Sequence, residues 1–155
     1  MTQVDIIEAI AGVLAGLWPD RMVYRDFCPV DHKRPSTFLY CTTAEYNFAF
    51  LGGVEWTVEA EAQLFSAVDH YDVESTEQLR QDQAAVLAQF GRPIQINDRH
   101  ILILARAQAP GPGVAVVTFS ASWMDTAPGF EREEEAPLME HYTLSVNKEE
   151  SNGND

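Results

Sequence analysis

From residue 54 to residue 65 the chain alternates with a period of two. Val54, Trp56, Val58, Ala60, Ala62 and Leu64 fall on one side, and Glu55, Thr57, Glu59, Glu61 and Gln63 on the other. Such a pattern predicts a strand with one buried and one wet face, as in an antiparallel sheet. Near the N-terminus the period changes: Ile6, Ile7, Ile10, Val13, Leu14 and Leu17 recur at three- and four-residue spacing, which makes one apolar stripe on a helix. Thr2 is placed to cap that helix, Asp5 favours its first turn, and Pro19 follows its end. Gly12 and Gly16, four apart, suggest a close approach by a neighbour.

Short strands are predicted at residues 22–25 and, after a loop bounded by Pro29 and Pro35, at residues 37–42. A second helix starts at a capping box in which Ser75 and Gln78 exchange hydrogen bonds. Leu79, Val86, Leu87 and Phe90 form its inward face, and Gly91 and Pro93 stop it. Residues 101–105 are apolar at every position, as expected for a central strand, and Pro110, Gly111, Pro112 and Gly113 turn the chain into an alternating run from 114 to 123. A long loop over 125–140 and a last strand over 142–146 complete the order helix, three strands, helix, three strands. The expected architecture is a single α+β domain over residues 1–147, with a mostly antiparallel sheet, two helices packed on one face, and an acidic disordered tail at 148–155.

A chain of 155 residues, 46% of them hydrophobic, is expected to bury roughly 68–70% of its unfolded surface and so to need no disulfide or structural metal. Cys28 and Cys41 read as reduced thiols of a protein that stays inside the cell, with a single bridge between them as the alternative. Asp5 and Glu8 stand where a signal peptide would be apolar. The longest apolar stretch, residues 6–18, falls short of the about 20 residues that span a bilayer, so no membrane role is expected.

The charge balance narrows function further. With 24 acidic against 10 basic residues the net charge is −14, which repels a phosphate backbone and excludes a broad nucleic-acid-binding face. Glu131, Glu133, Glu134 and Glu135 form one acidic run and the C-terminus another, both read as solvated. Catalytic patterns are missing: the sequence has no glycine-rich phosphate loop or nucleophile elbow, and His32, His70, His100 and His141 lack metal-ligand spacing. Glu55, Glu59 and Glu61 share a strand face and are the one set with the donor chemistry for a hard cation. No base accompanies them, so they read as a solvated face. The basic turn of Asp31, His32, Lys33 and Arg34 reads as a loop, and Cys28 lacks an activating base. The chain is expected to be no enzyme and to hold no cofactor or metal.

Tyr46, Phe48 and Phe50 remain, at every second position ahead of Leu51, Gly52 and Gly53. On a regular strand the three rings share one side and Asn47, Ala49 and Leu51 the other. They are either additional core or an exposed strip that a partner covers. Aromatics favour interfaces, so Tyr46, Phe48, Phe50 and Leu51 form the candidate oligomer interface.

The whole layout resembles the tail terminator, or tail completion, family of long-tailed phages and prophages, from about residue 6 to residue 146. The likeness rests on the N-terminal amphipathic helix from Ile6 to Trp18, Val23 and Tyr24 before a proline-flanked loop, and the strand of Phe38, Leu39, Tyr40 and Cys41. The long alternating strand, the single helix, the hairpin and the ending from Pro137 to Val146 complete it. The resemblance implies a virion subunit, made in the host cytoplasm, that forms a homo-oligomeric ring, commonly a hexamer. That ring would cap the tail tube protein and meet the head-completion protein, with no cofactor and no specific nucleic-acid binding. Glu55, Glu59 and Glu61 are then candidates for an acidic channel face past which DNA slides. Two alternatives are another head-tail connector or minor tail protein, and a small acidic inhibitor of the immunity type that masks a basic partner.

Overall fold

The computed structural model describes residues 1–68 and 74–130, so the acidic runs, the strand expected at 142–146 and the tail at 148–155 lie outside the described residues. Helix α1 (Gln3–Leu17) leads into β1 (Met22–Arg25), β2 (Ser36–Phe50) and β3 (Gly53–Phe65). Helix α2 (Thr76–Gln89) is followed by β4 (Ile94–Ile96), β5 (Arg99–Ile101), β6 (Leu104–Ala107) and β7 (Val114–Thr126). Five strands form one sheet in the order β1-β2-β3-β7-β6, and β4 and β5 form a separate hairpin. Among the described strands only β1 pairs in parallel, with Ser36, Thr37, Phe38 and Leu39 of β2. The fold is α+β with a mostly antiparallel sheet and both helices on one face, as the residue periods imply.

β3 is the spine. It pairs along its whole length with β2 on one side and β7 on the other. Its alternation separates two environments. Val58, Ala60, Ala62 and Leu64 pack with Leu39 of β2, with Ala115, Val117, Phe119, Ala121 and Trp123 of β7, and with the helices. Ile6, Ile10 and Leu14 of α1 and Leu79 and Val86 of α2 are at most 1% exposed against that face. Glu55 and Glu59 point the other way and are exposed.

The inward stripe of α2 differs from the apolar pattern. Asp82 and Gln83, at the positions between Leu79 and Val86, are buried, while Leu87 lies at the rim with 36% exposure. Asp82 accepts from Arg21 at 2.6 Å and 3.4 Å and from Gln78 at 2.9 Å. Arg21 in turn lies over the Trp18 ring, 4.3 Å from its centroid. A charge taken out of water persists only when paired in this way. Gln83 donates to the carbonyls of Gln108 and Val116 and so clamps α2 to the β6–β7 hairpin. The capping box is half formed: the Gln78 amide donates to Ser75 Oγ at 3.3 Å, but the Gln78 side chain goes to Asp82. At α1 the cap runs through Asp5, whose carboxylate accepts the Thr2 amide at 2.7 Å. This bond holds the Asp5 carboxyl below the usual carboxylate range.

Three further expectations are corrected. Residues 101–105 do not form a central strand. Ile101 ends β5 and Leu104 begins β6 at the sheet edge, where Leu102 and Leu104 are about half exposed and only Ile101 and Ile103 are buried. The run is divided because the chain leaves the β4–β5 hairpin, turned at Asn97 with φ 55°, before it joins the sheet. Gly12 and Gly16 admit no close neighbour: a Cβ at either would meet nothing within 4 Å. The strand expected at 37–42 does not stop there, and β2 continues through the aromatic stretch to Phe50.

Two stability outcomes follow. Arg21→Ala leaves Asp82 buried with Gln78 alone and is expected to cost about 3 kcal/mol in chemical denaturation, whereas Arg21→Met with Asp82→Leu recovers most of that loss. Gly12→Ala and Gly16→Ala, on the exposed face of α1, each raise stability by about 0.5–1 kcal/mol, measured as a shift of the thermal midpoint.

Candidate interaction surface

The last nine residues of β2, from Thr42 to Phe50, are exposed without interruption on both faces. They pair with β3 on one side only, because β1 ends opposite Leu39. They form an uncovered arm at the sheet edge, beside the start of β3 and the end of β7, where Val54, Val58, Ala121 and Trp123 stay buried.

Two irregularities set which way its side chains point. Cys41 pairs with Ala60 but Thr43 pairs with Glu59, so Thr42 is an extra residue in β2. Before this bulge the odd residues Thr37 and Leu39 face the core, and after it the even residues Ala44, Tyr46 and Phe48 do, opposite Val58, Trp56 and Val54. A second shift at Ala49 brings Phe50 opposite Gly53, on the face of Glu55. The three rings therefore do not share one side, as a regular strand requires. Tyr46 and Phe48 stand on the helix-side face and Phe50 on the other. The sequence contains no marker for either bulge.

Tyr46 is anchored by rings that the sequence reading did not assign to the site. It meets Trp56 edge-on, centroids 4.8 Å apart, and Trp56 stacks on Trp123 at 5.7 Å and 9°. Trp123 is 6% exposed and ends the core. Cross-strand aromatic contacts of this kind stiffen a sheet. Beyond them nothing in the described residues covers the tip: Phe48 is 75% exposed, Phe50 58% and Leu51 81%. Phe130, which no sequence pattern marked, joins them at 54%. A groove of about 390 Å³ opens beside the ladder between Tyr46, Val54, Trp56, Asp125, Thr126 and Pro128.

The paired glycines have separate reasons. Gly52 adopts φ 79°, and a Cβ there would stand 3.1 Å from the Phe130 ring. At Gly53 the Phe50 ring occupies the space of a side chain, 2.3 Å from the Cβ position. The Ala127 amide donates to the Gly52 carbonyl at 3.0 Å and ties the end of β7 to the tip.

Asp125, opposite Val54 near the tip, ties β7 to the N-terminus and to β5. It accepts from Arg99 at 3.1 Å and pairs with the N-terminal ammonium at 3.4 Å. Burial opposes its charge, yet the Thr126 amide, Arg99 and the ammonium outweigh burial and hold its carboxyl below the usual range.

Glu55, Glu59 and Glu61 all lie on the sheet face away from the helices, opposite Asn47, Thr43 and Tyr40 of β2. Glu61 accepts from the Tyr40 hydroxyl and from Gln63 at 3.2 Å. Its carboxylate pushes the Tyr40 hydroxyl pKa up. Glu59 and Glu61 also line a concavity of about 390 Å³ with Arg106, Thr118 and Ser120. Among the described residues no three His, Cys, Asp or Glu side chains converge as metal ligands.

The other reactive-looking groups are held in packing. His32 stands between Tyr24 and Phe65, and its Nδ1 lies 3.1 Å from the Pro29 carbonyl. Arg34 pairs with Glu74 at 2.8 Å. Burial pushes the Cys28 and Cys41 thiols up, the opposite of what a nucleophilic cysteine requires. No described helix is long and apolar enough to cross a membrane.

No family model and no curated protein matches the chain. Among solved structures, one aligns with a TM-score of 0.46 at 12% identity, over 82% of this chain and 96% of its own, under a name that carries no functional term.

Proposed function

We propose that this chain is a structural subunit that assembles with copies of itself into a ring, in the manner of the tail terminators it resembles in sequence. The ring caps the tail tube and presents its other side to the head-completion protein. The carrying observation is the arm: nine consecutive residues of β2 exposed on both faces, tipped by Phe48, Phe50 and Leu51 and stiffened by the Tyr46, Trp56 and Trp123 rings. A lone subunit gains nothing from projecting these rings into water, since each buried side chain of that size contributes about 1.5–3 kcal/mol. Between copies they supply the aromatic anchors that interfaces use. In this reading the face of Glu55, Glu59 and Glu61 turns towards the channel, where carboxylates keep passing DNA from adhering.

Native mass spectrometry of the purified chain should give a closed ring of fixed number, and addition of the ring should halt growth of polymerising tail tubes. A monomer at all concentrations that leaves tube length unchanged overturns the proposal. The double change Phe48→Ala, Phe50→Ala is expected to leave circular dichroism and cooperative melting nearly unaltered. It should weaken ring assembly by at least tenfold, because each lost anchor costs about 2 kcal/mol or more in binding. Replacing Glu55, Glu59 and Glu61 with glutamine should strengthen DNA binding by the assembled ring in low salt, measured by fluorescence anisotropy; unchanged binding removes these residues from the channel.

A further inference from the structure

The outer side of β2 is the longest unpartnered strand edge among the described residues. β1 pairs with residues 36–39 and stops, so from Tyr40 to Phe50 β2 has a neighbouring strand only in β3. In an antiparallel ladder the amide and carbonyl of every second residue point away from the partner, and those of β2 line an open edge. Between the bulges at Thr42 and Ala49, residues 43–48 keep one register with β3, which makes them a regular template. Edges that stay free are commonly guarded by lysine, proline or a bulge. Residues 43–48 contain no Lys and no Pro, and Glu45 is their one charge. The end of β7 beyond Ser120, where β6 stops, is met from outside by Arg99, which donates to the Met124 carbonyl at 2.8 Å.

The described chain ends beside this edge. β7 runs in the same direction as β2, and its last residue, Thr126, stands opposite Gly53 at the tip. The Phe130 ring lies 3.1 Å from where a Cβ of Gly52 would be. A chain that turns back from here runs antiparallel to β2. From β7 to a place outside β2 is three strand spacings, about 14 Å, and residues 131–141 can reach about 36 Å when extended. The residues that follow, Tyr142, Thr143, Leu144, Ser145 and Val146, alternate between apolar and polar. The edge has the same two sides: Ala44, Tyr46 and Phe48 face the helices, and Glu45 and Asn47 face the open side of the sheet.

We infer that residues 142–146 pair antiparallel with residues 43–48 of β2 in the same chain and close this edge of the sheet. Tyr142, Leu144 and Val146 then lie beside Ala44, Tyr46 and Phe48, and Thr143 and Ser145 lie beside Glu45 and Asn47. The added strand satisfies the outward amides and carbonyls and shields the flanks of the Tyr46 and Phe48 rings. The chain's own segment is the occupant because a short tether holds it near the edge at a high effective concentration, which a separate copy has to match by mass action. Phe50, Leu51 and Phe130 stay at the tip, free for a neighbouring subunit. The inference goes beyond the ring proposal and holds whether or not copies assemble.

Amide hydrogen exchange on the full chain tests the pairing, with Leu144→Pro as the variant that removes a strand amide and Leu144→Ile as the conservative control. In the unaltered chain the amides within residues 43–48 that point away from β3 should be protected. In the proline variant they should exchange at least about tenfold faster, while the amides of β3 and of both helices keep their rates; the isoleucine variant should behave as the unaltered chain. Equal rates at those outward amides in all three proteins overturn the inference. A photo-crosslinking amino acid at position 144 identifies the occupant in an equal mixture of chains labelled with light and heavy nitrogen. Crosslinks to residues 43–48 should join peptides of one isotope only. Mixed-isotope crosslinks to the same residues overturn it in favour of a strand exchanged between copies, and crosslinks elsewhere overturn it outright. A chain that is monomeric by native mass spectrometry and still shows the protection overturns the ring and leaves this pairing standing.

Discussion

β2 outruns both its neighbour β1 and the helices in this protein, and its exposed surface follows from that mismatch. β2 and β3, at 15 and 13 residues, run about 50 Å and 43 Å at about 3.3 Å per residue. The helices α1 and α2, at 15 and 14 residues, rise about 22 Å each at 1.5 Å per residue. The helix-side residues Val54, Val58, Ala60, Ala62 and Leu64 of β3 are nonetheless buried, and it is the last part of β2, at the sheet edge, that stays uncovered. The main core ends at Trp56 and Trp123, and among the described residues nothing covers Phe48, Phe50 and Leu51.

Within the covered half, a few polar contacts fix how the helices sit. Hydrophobic burial is not directional, so the apolar stripes alone would tolerate some sliding of α2. The Arg21 and Asp82 pair ties α2 to the turn after α1, and Gln83 ties it to two carbonyls of the β6–β7 hairpin. These groups are satisfied only in one placement. Towards the exposed end of β2 the aromatic ladder has the same role, because Tyr46, Trp56 and Trp123 meet in register only if β2, β3 and β7 are aligned.

The sheet also separates two surfaces by chemistry. On its open face Glu55, Glu59 and Glu61 line up with Tyr40, Gln63 and Arg106, a polar and mostly acidic wall. The arm tip is apolar and carries its few charges at the margin. A wall that repels phosphate and a tip that seeks apolar contact suit a subunit that encloses a passage by joining its neighbours, which is the function proposed here.

Much of this was legible in the order of residues. The three- and four-residue spacing of Ile6, Ile10 and Leu14 named α1, and the alternation from Val54 to Leu64 named β3 and both of its faces, because these periods follow from local backbone geometry. The same alternation placed the three glutamates together on the open face, and the run of Tyr46, Phe48 and Phe50 pointed to the arm. Other features have no local signature. An inserted residue at Thr42 and another at Ala49 leave no mark in composition, yet they swap the faces of β2 and send Phe50 away from Phe48. Asp82 and Gln83 read as solvent positions until Arg21 and the β6–β7 carbonyls arrive from distant parts of the chain. Residues 101–105 read as a central strand because apolar content reports burial without saying by what, and the sheet order places that stretch at an edge. Local periods are properties of a segment and so can be read from it. Register, strand order and the burial of a polar side chain depend on partners many residues away, and only the folded chain brings those partners together.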